Sequence, residues 1–364
     1  MFRPAIKDAH RPMDLPGHRI LLGQLQYGVA AEIEDDEQGT LRRLLSLMDG
    51  TRDVGAIATE LSHTHPGWDV ESVRDAIGQL TSFGHVEDAG APVPPGLTTG
   101  DLTRYGSLRH YFSWIDVADR TSPYDIVARI RKARVALLGL GGTGSTVAAS
   151  LVASGIGALH CADFDRVETP NLTRQLIYSE RHVGRSKVES AVEYLTALNS
   201  DVTVTGEELK AGSPADLERL AAGHDVLVVC ADRPADRIRA WANEAALKTG
   251  TPWFIALYAG PMALIASFVP GETACWECLD SQERKREIRA AGHWFPGDRP
   301  HAVVAGTAGV SGHLCALDVL YHLGGLPTQS RGRVVAHNLA RWDHRFAIDA
   351  VLDPNCPACG PVTR

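Results

Sequence analysis

The 364-residue sequence has no long apolar run, no excess of positive charge and no leader-like hydrophobic start. Its longest apolar stretches, such as 135–140 and 226–231, fall far short of the roughly 20 residues that a membrane-spanning helix needs. The opening residues, MFRPAIKDAHRPMDLPGHR, contain no apolar core of a secretory signal. Thirty-six Lys and Arg stand against 44 Asp and Glu, a net charge of −8, so there is no general attraction to nucleic acid or anionic lipid. Internal repeats and sizeable low-complexity tracts are also missing. What remains is an ordinary globular balance, 44% hydrophobic and 22% charged. The length suggests two domains. The chain is expected to be soluble and cytoplasmic, with no nucleic-acid or membrane partner.

Seven cysteines divide by position. Cys161 and Cys230 lie in apolar strand-like runs and Cys315 in an apolar helix-like run, so each reads as a small buried hydrophobe. The other four form two pairs, Cys275-Trp-Glu-Cys278 and Cys356-Pro-Ala-Cys359. In a cytosolic chain, two C-x-x-C knuckles favour a metal over disulfides, and four thiolates match a closed tetrahedral Zn2+ site of structural type. The 77 intervening residues exceed the spacing of a compact zinc finger, so such a metal would staple a remote tail onto the main domain.

Residues 1–90 contain a small module. Residues 19–22 and 27–33 suit short strands, with Gly23 and Gly28 as breakers. A compact helix over 41–48 stops at Asp49-Gly50, and a second begins at Thr51-Arg-Asp-Val with Val54, Ile57, Ala58 and Leu61. A third opens at Asp69 and places Val73, Ile77, Leu80 and Phe83 at helical spacing. Residues 84–88 suit a wing strand, which together suggests a winged helix. DNA binding is the obvious role for that shape, yet residues 31–90 carry 13 Asp and Glu against 4 Lys and Arg, where a reader of phosphates needs a basic stripe. Two roles stay open: an accessory packing domain, or a module that captures a peptide along an exposed sheet edge. A Gly/Pro-rich linker, 91–103, then leads to a second domain over 104–364.

In that domain strand-like and helix-like segments alternate. Strands are expected at 135–140, 159–164, 202–205, 226–230 and 252–258, with helices at 143–154, 186–198, 215–222 and 237–248 between them. Residues 262–269, 333–337 and 346–351 look like added strands. The alternation predicts an α/β fold, a Rossmann-like doubly wound sheet with helices on both faces.

The first strand runs into GLGGTGS, where Gly139, Gly141 and Gly144 have G-x-G-x-x-G spacing and Gly142 fills the turn. Glycines there permit close approach of backbone to phosphate, and the helix N-terminus favours negative charge. Asp163, 19 residues beyond Gly144, ends the second strand, where an acid can bind ribose hydroxyls. Taken alone, this describes many NAD enzymes equally well. The following segment, DFDRVETPNLTRQ, adds Asn171, Arg174 and Gln175 beside the same strand end, and VGRSKVES places Lys187 at a helix start. Arg174 and Lys187 suit a triphosphate, which hydride transfer does not need, although such residues are most often solvated surface. Asp232, in Cys230-Ala-Asp232, ends another strand on the same rim and suits Mg2+.

In these motifs, GLGGTGS, DFDRVETPNLTRQ, VGRSKVES, the Cys-Ala-Asp turn and the two C-x-x-C pairs, the sequence resembles the ThiF/MoeB-type adenylating enzymes, relatives of the ubiquitin-activating enzymes. The resemblance covers about 250 residues, 104–359. It implies MgATP-dependent adenylation of a C-terminal carboxylate with release of pyrophosphate. It further implies that Asp163 holds ribose, that Asn171, Arg174 and Lys187 contact phosphates with Gln175 beside them, and that Asp232 holds Mg2+. Family members often act as homodimers in which a partner supplies an arginine from an Arg-Tyr segment. Here that region is Arg104-Tyr-Gly-Ser-Leu-Arg109, and Arg109 is the expected residue. No histidine triad is required, because a carboxylate is already ionised at neutral pH.

Some members carry a further cysteine after the first knuckle for a thioester or persulfide step. Residues 279–309 contain none; their SQERKREIRAAGHWFPGDRPH run fits either a solvated helix or a crossover guiding a carboxylate toward ATP. The leading module resembles a leader-peptide recognition element, and the whole arrangement resembles the peptide-modifying members, the microcin C-type and pantocin-type enzymes. The expected partner is a precursor peptide. The alternatives are an adenylyltransferase for a sulfur-carrier protein and a non-catalytic scaffold that delivers peptides to a cyclodehydratase.

Overall fold

The computed structural model describes residues 1–24, 28–285 and 302–360. They fall into two compact units, Met1–Arg129 and Ile130–Arg364. The Gly/Pro-rich segment 91–103 lies inside the first unit, where Thr98 and Asp101 form a reciprocal capping box at the start of a helix.

The first unit contains β1 (Pro4–Ile6), β2 (Met13–Leu15), β3 (Arg19–Leu22), β4 (Ala31–Glu34), α1 (Thr40–Leu47), α2 (Val54–Ser62), α3 (Val70–Ser82), β5 (Val86–Asp88), α4 (Thr99–Arg104) and α5 (Gly106–Ser113). The helices start where acidic caps satisfy free N–H groups: Asp53 accepts from Ala56 and Asp69 from Ser72. Ile20 and Leu22 of β3 pack against Leu44, Leu47, Ile57, Leu61, Val73 and Ile77 of the three helices. Phe83, expected on the apolar face of α3, is 65% exposed because it falls beyond the last helical residue. β2, β3 and β4 form an antiparallel sheet in that order. β5 is a strand, as its sequence suggests, but its partner is β1 at the start of the chain. Part of the strand expected at 27–33 lies outside the described residues, and β4 begins at Ala31.

Behind the β1–β5 pair lies a buried polar cluster. His10 and His85 are both buried, with their Nδ1 atoms 3.1 Å apart, and the buried Lys7 ammonium donates to the Asp116 carbonyl. Burial, then the charge of Lys7 and the neighbouring His85, lower the His10 pKa from 6.5 to about 4. The unfolded chain therefore takes up a proton below pH 6.5 that the folded unit refuses until about pH 4.

The second unit follows α6 (Asp125–Lys132), which spans the division in sequence. It contains β6 (Arg134–Leu138), α7 (Gly142–Ala153), β7 (Ala158–Asp163), α8 (Lys187–Leu198), β8 (Thr203–Glu208), α9 (Pro214–Ala221), β9 (Val226–Val229), α10 (Ile238–Thr249), β10 (Trp253–Ala259) and β11 (Met262–Phe268). The described elements end with α11 (Trp276–Lys285), α12 (Ala305–Gly324), β12 (Arg333–Asn338) and β13 (Arg345–Asp349). The eight strands form one mixed sheet in the order β13-β12-β11-β10-β9-β6-β7-β8. β8-β7-β6-β9-β10 are parallel, and each parallel connection is made by a crossover containing a helix. From β10 onward the pairing is antiparallel, because only Gly260-Pro261 joins β10 to β11.

The central parallel strands β6, β9 and β10 read as continuous apolar runs because both of their faces are covered, whereas the edge strand β8 is polar and exposed. Alternate residues Ala136, Leu138, Leu227, Val229, Trp253 and Ile255 pack with Leu217, Leu220, Ile238 and Ala242 of α9 and α10. The intervening Val135, Leu137, Val226, Val228 and Phe254 are equally buried. β6 and β9 are neighbours, while the chain leaves β6 in one direction toward β7 and leaves β9 in the other toward β10. That reversal opens a crevice at the carboxyl ends of the strands, the usual ligand position in such sheets. Among the described residues no helix is long and apolar enough to cross a membrane.

Stability measured by denaturant unfolding is expected to fall by on the order of 2–3 kcal/mol as the pH drops from about 6.5 toward 4. His10→Gln should flatten that slope, and an unchanged slope in the variant would assign the pH dependence to other groups.

Candidate active site

A cavity of about 490 Å³ opens at the carboxyl ends of β6, β7, β9 and β10. Its floor is the glycine turn between β6 and α7. Gly139 has a φ of +95°, and a Cβ there would lie 2.6 Å from the Ala231 nitrogen, so only glycine lets the turn pass beneath the end of β9. A Cβ on Gly144 would lie 1.8 Å from the Gly139 carbonyl oxygen. Gly139, Gly141 and Gly142 line the cavity, whereas Gly144 lies one turn into α7 and serves the close packing behind it. Gly141, at the N-cap of α7, supplies no capping side chain. The first N–H groups of the helix have no side-chain acceptor at that position and favour an anion.

The buried carboxylate of Asp163 accepts from Leu140 N at 2.6 Å and from Asp165 N at 2.8 Å. It therefore holds the glycine turn as well as facing the cavity, a role that the motif spacing does not disclose. Asn171, Arg174, Gln175 and Lys187 also line the cavity. Asn171 Oδ1 accepts from Glu168 N and shapes the short 3-10 helix Thr169–Thr173 that carries the segment over the rim. Arg174 Nη1 donates to the Pro170 carbonyl, while Arg174 Nε and Gln175 Oε1 are buried with no hydrogen-bond partner among the described residues. Both side chains line the cavity, so its wall offers a guanidinium and an amide to a polar ligand. The Lys187 ammonium, only 6% exposed, donates to Asp165 Oδ2 at 2.7 Å. Asp232 lies exposed on the opposite rim and lines the same cavity.

Residues that sequence reasoning left unassigned complete the lining. Asp165 is the second acid of the D-F-D segment, and its spacing from Asp163 was the available signal. Phe164 presents an aromatic face with the Lys210 ammonium 5.4 Å from its centroid. Tyr258, near the carboxyl end of β10, has its pKa raised by burial, an effect opposed by its hydrogen bond to Arg174 and reinforced by Asp232. Arg239 is buried and lies over the Trp276 ring at 5.9 Å. Cys230 also lines the cavity, and burial pushes its thiol up to about 12; the buried Cys161 behaves alike. Cys315 is buried with its thiol pushed up as well. Among the described lining residues there is no histidine.

Cys275, Cys278, Cys356 and Cys359 form a second constellation, with all four sulfurs within 4.8 Å of one another. The separations are 3.7 Å for Cys275–Cys356, 3.5 Å for Cys278–Cys359 and 4.0 Å for Cys275–Cys278. A tetrahedral thiolate site with bonds of about 2.3 Å has edges of about 3.8 Å, so the cluster fits one metal ion. Asn243 Oδ1 accepts from Trp276 N and orients the knuckle beside α10.

Arg109 belongs to the first unit. Its guanidinium pairs with Glu87, lies 5.6 Å from the centroid of the Tyr124 ring and does not line the cavity. Residues 286–301, most of the expected crossover segment, lie outside the described residues.

Two glycines give opposite expectations for thermal and denaturant unfolding. Gly144→Ala should destabilise by about 3 kcal/mol through overpacking against the turn. Gly309→Ala, in α12 with open space around the added carbon, should stabilise by about 0.5–1 kcal/mol. Equal effects of the two would contradict the packing of the turn.

Comparison with known proteins places this cavity in context. The ThiF family model matches residues 117–358, about two thirds of the chain. The molybdopterin-synthase adenylyltransferase of Escherichia coli is 28% identical over 237 residues, covering 65% of this chain and 91% of the relative. The sulfur carrier protein ThiS adenylyltransferase of the same organism is 31% identical over 236 residues, 64% of this chain and 88% of the relative. Among solved structures, E. coli MccB is similar with a TM-score of 0.78 at 22% identity, over 99% of this chain and 98% of that one. PaaA is similar with a TM-score of 0.72 at 20% identity, over 94% and 99%. The chain belongs to the ThiF family and is an enzyme of its adenylyltransferase type.

Proposed function

We propose that this enzyme adenylates a carboxylate of a ribosomally made precursor peptide, using ATP and Mg2+, and that the first unit binds that peptide. The observation that carries the reading is the cavity wall itself. A glycine turn at a helix N-terminus, the buried acid Asp163, the amides Asn171 and Gln175 and the cations Arg174 and Lys187 line one space. A carboxylate oxygen attacking the α-phosphorus forms one P–O bond while the bond to pyrophosphate breaks. Two anions must meet, so fixed cations screen their repulsion. Asp163 would hold ribose, Phe164 offers a face for the base, and Asn171, Gln175, Arg174 and Lys187 would hold phosphates. Asp232 would hold Mg2+, which supplies charge neutralisation on the departing pyrophosphate. In a homodimer, Arg109 would leave Glu87 and serve the site of the partner subunit.

The peptide assignment is supported by the likeness to the microcin C7 biosynthetic enzyme MccB, solved with N-formylated MccA, over 98% of this chain. The first unit, with its winged-helix-like combination of three helices and short strands, would receive an extended segment along an edge of the β2–β3–β4 sheet. The sulfur-carrier reading is favoured by the 31% identity to a ThiS adenylyltransferase, and opposed by the lack of any cysteine in residues 279–309. The protein is proposed to act in the cytoplasm.

With MgATP and the peptides encoded beside its gene, the protein is expected to release AMP and pyrophosphate and to change the peptide mass. Lys187→Ala or Asp232→Ala should lower turnover by about 100-fold or more while peptide affinity is retained. AMP formation only with a Gly-Gly-ended carrier protein would transfer the assignment to sulfur activation, and tight peptide binding without ATP turnover would make the chain a delivery scaffold.

The tetracysteine cluster is proposed to hold Zn2+ in a structural role. Elemental analysis should find about one zinc per chain. Cys356→Ser should lose the metal and lower the melting temperature, and a fully folded, metal-free wild type would rule the site out.

A further inference from the structure

Leu140 stands within the glycine turn and Lys187 opens α8. The two are distant in sequence, yet one side chain touches both. The Tyr178 hydroxyl lies 3.2 Å from the Leu140 carbonyl oxygen and 3.3 Å from the Lys187 carbonyl oxygen. Both are acceptors, so the single phenolic proton is shared between them. Tyr178 is buried, and burial followed by the charge of Asp163 holds its ionisation far above the ordinary phenol range, which keeps it a donor.

The other sides of these two residues are also tied. Leu140 N donates to Asp163, Lys187 N donates to the Asp165 carbonyl, and the Lys187 ammonium reaches the Asp165 carboxylate. Tyr178 is thus a direct bridge between the two segments, the turn hung from Asp163 and the helix start hung from Asp165. Both segments line the polar side of the cavity.

We propose that Tyr178 is a positioning residue for nucleotide phosphates, setting the spacing between the glycine turn and the Lys187 ammonium. The inference rests on the adenylation reading above. Without the hydroxyl, two carbonyl oxygens face each other in a buried space with no proton between them, and they separate. The start of α8 then carries Lys187 away from the turn. A ligand anchored at both places loses affinity, whereas a ligand that touches neither keeps it.

The test uses full-length Tyr178→Phe, which keeps the ring and removes only the oxygen. Calorimetric affinities for ATP, ADP, AMP and adenosine are compared with those of the wild type, together with kcat and KM for ATP. ATP affinity should fall by about 5–30-fold, the loss of one or two buried hydrogen bonds, and KM for ATP should rise alongside it. The loss should shrink with each phosphate removed and vanish for adenosine, whose unchanged affinity also shows that the variant is folded. Equal losses for ATP and adenosine, or no loss for either, would overturn the role. A wild type that binds no ATP would bring down the adenylation reading and this inference together. A wild type that turns over ATP with a variant that matches it would remove only the role of Tyr178.

Discussion

The second unit is organised around one buried carboxylate. Asp163 ends β7, yet its oxygens accept the amides of Leu140 and Asp165, so the acid holds the first strand's turn against the second strand's end. From that anchor the turn can pass beneath Ala231 only through glycine at 139, and α7 can begin only with glycine at 144 against the Gly139 carbonyl. The helix N-terminus, the strand ends and the rim acids are therefore placed by the same contact that leaves a cavity above them. The geometry is over-determined, which is what a site with several charged groups at fixed spacing requires.

Its charges are arranged as pairs that a ligand can reapportion. Lys187 rests on Asp165, whose carboxylate is far more exposed than the ammonium it holds. Arg174 meets Tyr258 and leaves its Nε unpaired. Each cation is thus held within the wall without being wholly neutralised. Arg109 differs in facing a carboxylate as buried as itself, at 15% and 17% exposure, although its Nε is also without a partner among the described residues. Breaking that largely buried ion pair demands a compensating interaction.

The tetracysteine cluster extends the same logic to the far end of the sheet. It joins the start of α11 to residues beyond β13, and Trp276, next to Cys275, stacks with the cavity-lining Arg239. The antiparallel return through β11, β12 and β13 brings the chain back to that point. The four-cysteine cluster and one wall of the cavity are consequently linked through the Trp276 ring.

Much of this was legible without coordinates. The alternation of apolar runs and helical periods determined a parallel sheet, because buried strands must be apolar on both faces and parallel connections need long crossovers. The glycine spacing, Asp163, Asn171, Arg174, Gln175, Lys187 and Asp232 pointed to one rim, since motif residues at strand ends share the carboxyl edge of such a sheet. The two C-x-x-C spacings pointed to one cluster of four cysteines, which the fold brings together. Other features depend on where distant segments meet. Periodicity carried Phe83 one residue too far, since a helix end is decided by its cap. Neither β1 pairing with β5 nor Glu87 facing Arg109 is visible locally, because both join residues far apart in the chain. Nothing in the sequence marks Tyr178, and only packing places its hydroxyl between the carbonyls of the glycine turn and the start of α8. Residue chemistry at strand ends and helix starts is local and therefore readable from sequence; the partner that fixes each group is supplied by tertiary contact.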